Sequence, residues 1–320
     1  MAAMVCAVQR GTSGRQEMVL VAHRGWFVMA QLGRMMMMNK VVVVTGGATG
    51  IGEAIGKVFA QAGASVVVNG LPGDPVEEVV DEISQAGGRA FGHVADVATP
   101  AGAAATIAAA LEQFGQLDTV VANAGLFPEL AELDAFPLER FEELLHSNIR
   151  GVYLIVRAAV KELQKTQGSI VAIGSEAGLL GQPEAVSYGA TKGWVNAFIR
   201  GVAAEQARYG VRANIVAPGP IDTEMTRPSK GNMTVKNAFM AVKATPLGRR
   251  GTPEEVANVC LFLASGLASY VTGGIYTVDG GATASSGLPG LQARSEARTA
   301  PDGSVDLEHQ HEGRGTLRGE

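Results

Sequence analysis

Tyr188 and Lys192 stand four residues apart in the stretch Ser187-Tyr188-Gly189-Ala190-Thr191-Lys192. On a helix that spacing puts both side chains on one face, about one turn apart. A phenol ordinarily titrates at about 10, and a cation fixed beside it favours the phenolate and brings that value down. Ser175 follows the apolar run Ile170-Val171-Ala172-Ile173, which as a strand would deliver the hydroxyl to the carboxyl edge of a sheet. A hydroxyl, a phenol and an ammonium converging there can hydrogen-bond a carbonyl oxygen and hand it a proton. Carbonyl reduction, or its reverse, also requires a hydride carrier and a fold to hold it.

From Lys40 onward, apolar runs alternate with helical stretches. Val41-Val42-Val43-Val44 has the continuous apolar character of a strand buried on both faces. A helix over 52–62 follows, then a strand at 66–68, a helix at 77–85, a strand at 90–94 and an alanine-rich helix at 101–114. A fourth strand at 119–122 leads into one long helix over 138–164. The remainder reads as strand 170–173, helix 187–209, strand 213–216, helix 253–264 and a last strand, 275–278. This alternation predicts an α/β fold, a doubly wound parallel sheet of about seven strands flanked by helices and joined by right-handed crossovers. Such sheets bind ligands beyond the carboxyl ends of their strands, where strand order reverses.

The first strand runs into Thr45-Gly46-Gly47-Ala48-Thr49-Gly50-Ile51-Gly52 as a helix opens. Glycines in such a turn allow tight backbone angles and let a pyrophosphate approach the helix N–H groups. Asp96-Val97 follows the third strand, Asn123-Ala124-Gly125 the fourth, and Pro218-Gly219-Pro220-Ile221-Asp222-Thr223 the sixth. Ser175 precedes Tyr188 by thirteen residues, and Asn148 stands in Ser147-Asn148-Ile149-Arg150-Gly151.

Taken in order, these motifs resemble the short-chain dehydrogenase/reductase family, in its non-extended branch, over residues 40–281. They are similar to the 3-oxoacyl-thioester reductase and glucose dehydrogenase-like members. The resemblance implies a single Rossmann-type domain and an NAD(P)-dependent oxidoreductase that interconverts a secondary alcohol and a ketone. It assigns Tyr188 as proton donor and acceptor and Ser175 as hydrogen-bond donor to the substrate oxygen. Lys192 then holds the nicotinamide ribose and lowers the phenol's pKa, and Asn148 helps hold a water that links Lys192 to solvent. The cofactor contacts it implies are Thr45, Gly46, Thr49, Gly50, Ile51 and Gly52 in the glycine turn, and Asp96 and Val97 at the adenine. Asn123, Ala124 and Gly125 join them, with Pro218, Gly219, Ile221 and Thr223 at the nicotinamide, and Tyr188 and Lys192 shared between both roles.

The ribose end departs from the family pattern. An acid at the end of the second strand would hydrogen-bond the adenosine ribose and repel a 2′-phosphate. Here the stretch is Val68-Asn69-Gly70-Leu71-Pro72, and the acidic position falls on Gly70. No arginine or lysine stands at Thr49 or just after the strand, and Asp74 could substitute only through an unusual loop. NAD or NADP is expected, with the missing cation favouring NAD.

Residues 222–250 carry Met225, Met233, Phe239, Met240 and Val242 among charged residues, as a lid over a hydrophobic or medium-sized substrate would. Trp194, Phe198 and Val202 continue the Tyr188 helix at four-residue steps, a stripe that is either core or a partner-helix contact. By resemblance the chain is a homotetramer. Two other readings stay open: a cofactor-binding sensor or scaffold that has lost turnover, and a sugar-nucleotide epimerase or dehydratase on a related fold. The intact catalytic set weighs against the first. The polar end of the chain, unfit for a substrate domain, weighs against the second.

With 47% hydrophobic and 18% charged residues, the chain can build a sizeable core. A net charge of −5 argues against general nucleic-acid binding. Cys6 and Cys260 offer neither a disulfide framework nor zinc spacing, and no apolar run reaches membrane-spanning length. The expectation is a soluble cytoplasmic protein without a metal, acting on a small carbonyl or alcohol. Residues 1–39, with Arg10, Arg15, Arg24 and Arg34 against Glu17, read as a non-core extension, either a presequence or a start assigned too early within Met35-Met36-Met37-Met38. Residues 282–320 read as a polar, flexible tail whose His309 and His311 are poor metal ligands.

Overall fold

A computed structural model of the chain describes residues 36–227 and 234–284. Seven parallel strands form one sheet: β1 (Val41–Val44), β2 (Ser65–Gly70), β3 (Arg89–Val94), β4 (Thr119–Ala122), β5 (Ser169–Ile173), β6 (Arg212–Pro218) and β7 (Ile275–Val278). Their order is β3-β2-β1-β4-β5-β6-β7. The chain therefore starts mid-sheet at β1, walks outward to β3, and crosses back to β4 to build the other half. The reversal between β1 and β4 is the doubly wound arrangement that the alternation predicts.

The four valines of β1 show why the strand must lie at the centre. Val42 and Val44 pack into the core on one face and Val41 and Val43 into the core on the other, the period-two alternation of a strand covered on both sides. Helices α1 (Gly50–Gln61), α2 (Val76–Gln85) and α8 (Pro253–Ala264) contribute to the first core. Helices α3 (Pro100–Phe114), α5 (Val152–Thr166) and α6 (Val186–Gln206) contribute to the second. Start signals fix several of these ends. The Thr99 hydroxyl accepts from Gly102 N–H with Pro100 at the first helical position of α3, and Thr252 and Glu255 form a capping box on α8.

Three expectations change. The single helix over 138–164 is α4 (Leu138–Leu144), a π-helical turn at Leu145–Gly151, and α5. A wide turn at this point is a recurrent device at functional sites, and Asn148 lies within it. The lid carries a helix of its own, α7 (Val235–Ala244), which the sequence pattern did not separate. The folded part also begins earlier than residue 40. Met37 is buried in the core, its N–H donates to the Ala62 carbonyl at 3.0 Å, and so the boundary at 39 is too late. At the other end, Ala282–Ala284 form a short 3-10 turn tied to Asp279 through Thr283. The rest of both terminal segments, including His309 and His311, lies outside the described residues, as do Met233 of the lid and the side chain of Met240.

Candidate active site

A cleft of about 1490 Å³ opens along the carboxyl edge of the sheet at the β1/β4 reversal. Its first wall is the turn from β1 to α1. Gly46 and Gly50 hold φ of +58° and +55°, a left-handed backbone that side chains rarely adopt. A Cβ on Gly52 would stand 1.9 Å from the Gly46 carbonyl oxygen and 2.5 Å from Asn123 Nδ2. Thr49, before the first turn of α1, makes no side-chain capping bond, so helix N–H groups there are left for a ligand. An uncapped helix N-terminus behind a cradle that a Cβ would fill fits the pyrophosphate of a dinucleotide. Thr49, Gly50, Ile51 and Gly52 line the cleft with Gly46.

Thr45 lies behind this wall instead of in it. Its buried hydroxyl donates to the Val121 carbonyl and accepts from the N–H groups of Asn123 and Ala124, both at 3.0 Å. Asn123 Nδ2 in turn donates to the carbonyls of Thr45 and Gly46 at 2.9 and 3.0 Å. These bonds fasten the β1 loop to the β4 loop, where Asn123, Ala124 and Gly125 line the cleft.

The second wall follows β3. Asp96 and Val97 face the cleft, and the Asp96 carboxylate accepts from Ala98 N–H at 2.8 Å and pairs with His146 Nε2 at 2.9 Å. Desolvation pushes this carboxyl up, but His146, the Ala98 N–H and the Arg150 charge outweigh it and hold it below the ordinary range. The helix cap nearby is Thr99, so Asp96 is spared that task. Across the cleft, after β6, stand Pro218, Gly219, Ile221 and Thr223. Gly219 N–H donates to Val278 O, and Ile221 bridges to Gly251.

The reacting groups sit where β5 ends and α6 begins. Ser175 caps a short 3-10 turn by accepting from Ala177 N–H at 3.2 Å, and its hydroxyl is hydrogen-bonded to the Tyr188 phenol. Tyr188 meets the Phe127 ring edge-to-face, with centroids 4.9 Å apart. Lys192, one turn along α6, is buried, donates to the Ile173 carbonyl at 3.0 Å, and lies 5.7 Å from the Tyr188 ring centroid. Burial lowers the Lys192 pKa to about 8.

The phenol moves against expectation. Burial pushes it up to about 12, the Ser175 hydrogen bond pulls the other way, and the nearby Glu176 carboxylate adds to the rise. Lys192 donates to Ile173 O and lies over the ring, away from hydrogen-bond contact with the phenol, and desolvation sets the direction of the shift.

Asn148 is fully buried and does not line the cleft. Its Oδ1 accepts from Leu126 N–H at 2.7 Å, and its Nδ2 donates to Leu126 O at 3.0 Å and Thr191 Oγ1 at 3.2 Å. A Cβ on Gly125 would lie 3.0 Å from Asn148 Oδ1 and 3.5 Å from Lys192 Nζ. Asn148 and Lys192 therefore flank one glycine, which has no side chain to separate them.

Sequence reasoning passed over Glu176 and Gln182. Both line the cleft beside Ser175, and Gln182 Nε2 donates to Glu176 Oε1 at 3.2 Å. Glu176 Oε2 is buried without a hydrogen-bond partner among the described residues, close to Gly219. Desolvation, then the Asp279 carboxylate, raises the Glu176 pKa to about 7. A charged residue directly after Ser175 was the available signal.

The family model described as Enoyl-(Acyl carrier protein) reductase matches residues 46–283. An L-rhamnose 1-dehydrogenase (NAD(P)(+)) of Sphingomonas sp. (strain SKA58) is 40% identical over 246 residues, covering 76% of this chain and 96% of that protein. A 3-oxoacyl-(acyl-carrier-protein) reductase of Chlamydia trachomatis is 35% identical, covering 77% and 98%. The solved structure of a mutant short-chain dehydrogenase/reductase of Serratia marcescens superposes with a TM-score of 0.72 at 30% identity, covering 78% and 99%. The chain belongs to the short-chain dehydrogenase/reductase family and is an NAD(P)-dependent oxidoreductase of alcohol and ketone groups.

Proposed function

We propose that the chain interconverts a C–OH and a C=O group on a polyhydroxylated substrate, a sugar or polyol, with Tyr188 as acid and base. Bound NAD(P) supplies or receives the hydride. Tyr188 gives its phenolic proton to the substrate oxygen in reduction and takes it back in oxidation. Ser175 donates to the same oxygen; a fixed donor of this kind contributes about 3 kcal/mol to the barrier difference. Lys192, one turn along the helix from Tyr188, takes the nicotinamide ribose hydroxyls, and Asn148 keeps the Gly125–Leu126 backbone closed beside it. In this reading Gly46, Thr49, Gly50, Ile51 and Gly52 take the pyrophosphate, with Thr45 and Asn123 bracing them from behind. Asp96 and Val97 take the adenine, Ala124 and Gly125 flank the cofactor, and Pro218, Gly219, Ile221 and Thr223 take the nicotinamide.

The observation that carries the substrate class is the Glu176–Gln182 pair beside Ser175. A carboxyl and an amide in the cleft wall beside Ser175, bonded to each other, have further donors and acceptors for a substrate's hydroxyls, whereas an acyl chain offers them no partner. The 40% identical relative, named for L-rhamnose, supports the same class. A second reading, a 3-oxoacyl thioester, draws on the apolar lining of Leu126, Phe127, Leu130 and Met225 and on the second relative.

The two readings separate in a rate panel of aldoses, polyols and a 3-oxoacyl thioester, followed at the nicotinamide absorbance. The sugar reading expects kcat/KM at least tenfold higher for an aldose or polyol. Preference for the thioester overturns it, and bound cofactor without any turnover leaves the sensor reading. We propose further that the chain is cytoplasmic and forms a homotetramer, the assembly supported by the partly exposed aromatic row of α5 and α6.

A further inference from the structure

Strand β2 ends on Asn69 and Gly70, both in the cleft wall, and neither offers a carboxylate to its ribose end. Asn69 is buried, and its Nδ2 is spent on the carbonyls of His93 and Ala95 at 3.1 and 3.0 Å. Gly70 follows. A Cβ there would stand 2.6 Å from Val76 Cγ2, 3.0 Å from Asp74 Oδ2 and 3.1 Å from Asp74 Cβ. The space that a residue at position 70 would fill is thus occupied from further along the chain.

The loop is built to do this. Asp74 N–H donates to Leu71 O at 3.1 Å while Leu71 N–H donates to Asp74 Oδ2 at 2.7 Å, closing the turn in both directions. Gly73 supplies the left-handed residue at φ +96°, with open space around it. Val76 N–H then donates to Asp74 O at 2.8 Å as α2 begins. The outcome is a carboxylate folded back onto the strand end, in the cleft wall with Gly70 and Leu71 and opposite Asp96 and Val97. The Asp74 carboxylate has no other hydrogen-bond or ion-pair partner among the described residues. The cations of this cleft, Arg150, Lys192 and Arg250, come from the π-turn, α6 and the lid, and none comes from the loop after β2.

We propose that Asp74 reads the adenosine ribose in this chain, its carboxylate accepting from the 2′-hydroxyl and repelling a 2′-phosphate, so that NAD is preferred over NADP. The assignment rests on the cofactor cleft described above and is independent of the substrate. Oδ2 is engaged by Leu71 N–H, which orients the group and leaves Oδ1 for the ligand. Because the carboxylate is exposed, its repulsion of a phosphate is screened by salt, whereas a hydrogen bond to a hydroxyl is much less so.

The test is equilibrium binding of NADH and NADPH to the purified full chain, followed by nicotinamide fluorescence at low and high salt, without turnover. The proposal expects NADH to bind at least tenfold more tightly at low salt, with the gap narrowing as salt rises. Asp74→Asn keeps an oxygen for Leu71 N–H and removes the charge. It should tighten NADPH roughly tenfold, leave NADH within about threefold, and abolish the salt dependence of the ratio. Asp74→Ala should weaken NADH and narrow the ratio at an unchanged melting temperature. A wild-type preference for NADPH, or a ratio unmoved in both variants, overturns the assignment. Binding of neither nucleotide overturns the cofactor reading itself, and the assignment with it.

Discussion

At the residue scale, Tyr188 and Glu176 are titrating groups a few ångströms from one chemistry, and their environments make separate predictions. Tyr188→Phe keeps the ring against Phe127 and removes only the hydroxyl. It should cut kcat on the order of 10²–10⁴-fold while cofactor affinity, read by fluorescence, stays unchanged. Glu176 predicts a pH dependence of stability. In the fold it keeps its proton up to about 7, whereas the unfolded chain releases it at about 4.3. Between those values the unfolded state binds fewer protons, so this group's contribution falls as pH rises and levels off above 7. Glu176→Gln removes that penalty. After discounting for partial exposure it should gain on the order of 2 kcal/mol at pH 8 and nothing near pH 4.5. Thermal unfolding at the two pH values measures this, and equal gains at both would show that the carboxyl is not held protonated.

The element scale separates what spacing reveals from what packing adds. Tyr188, Lys192, Ser175 and the glycine turn were legible because each is a residue type at a fixed distance from a strand end or along a helix. The π-turn was not, since apolar periodicity runs through Leu138–Leu144 and Val152–Thr166 and cannot register one widened turn between them. Lys192 was visible but not the direction of the Tyr188 shift, because desolvation depends on what closes over the ring. The inward turn of Glu176 onto Gly219 depends on three segments meeting that lie far apart in sequence.

The glycine turn itself predicts a contrast. At Gly50 a Cβ would come no closer than 3.4 Å to Thr223, so Gly50→Ala meets only the left-handed backbone penalty of about 1–2 kcal/mol. At Gly52 the Cβ would overlap the Gly46 carbonyl, so Gly52→Ala must displace the turn. Gly52→Ala should lose at least tenfold in NADH affinity beyond the loss in Gly50→Ala. Equal losses would mean that the 46–52 backbone is not the cradle.

For the whole molecule, the open question is which surface the fold leaves for a second copy. The stripe Trp194, Phe198 and Val202 packs against the second core only in part, which leaves some of its apolar surface for a partner helix. Trp194 stacks on Phe198 with centroids 4.7 Å apart, and Tyr153 of α5 leans on Phe198 at 5.8 Å. Tyr153 remains 44% exposed at the end of this row. Stacked aromatics that stop half-covered make the apolar, rigid surface typical of stable interfaces. Tyr153→Glu discriminates because the side chain is already wet in a single copy. If the chain were monomeric, the change should move stability by no more than about 0.5 kcal/mol. In a tetramer built on this face it buries a charge in every copy of the contact. The expected outcome is a shift in sedimentation velocity from tetramer to dimer or monomer, and a melting temperature that depends more steeply on protein concentration. A wild-type chain that sediments as a monomer, or a variant that remains tetrameric, would remove α5 and α6 from the assembly.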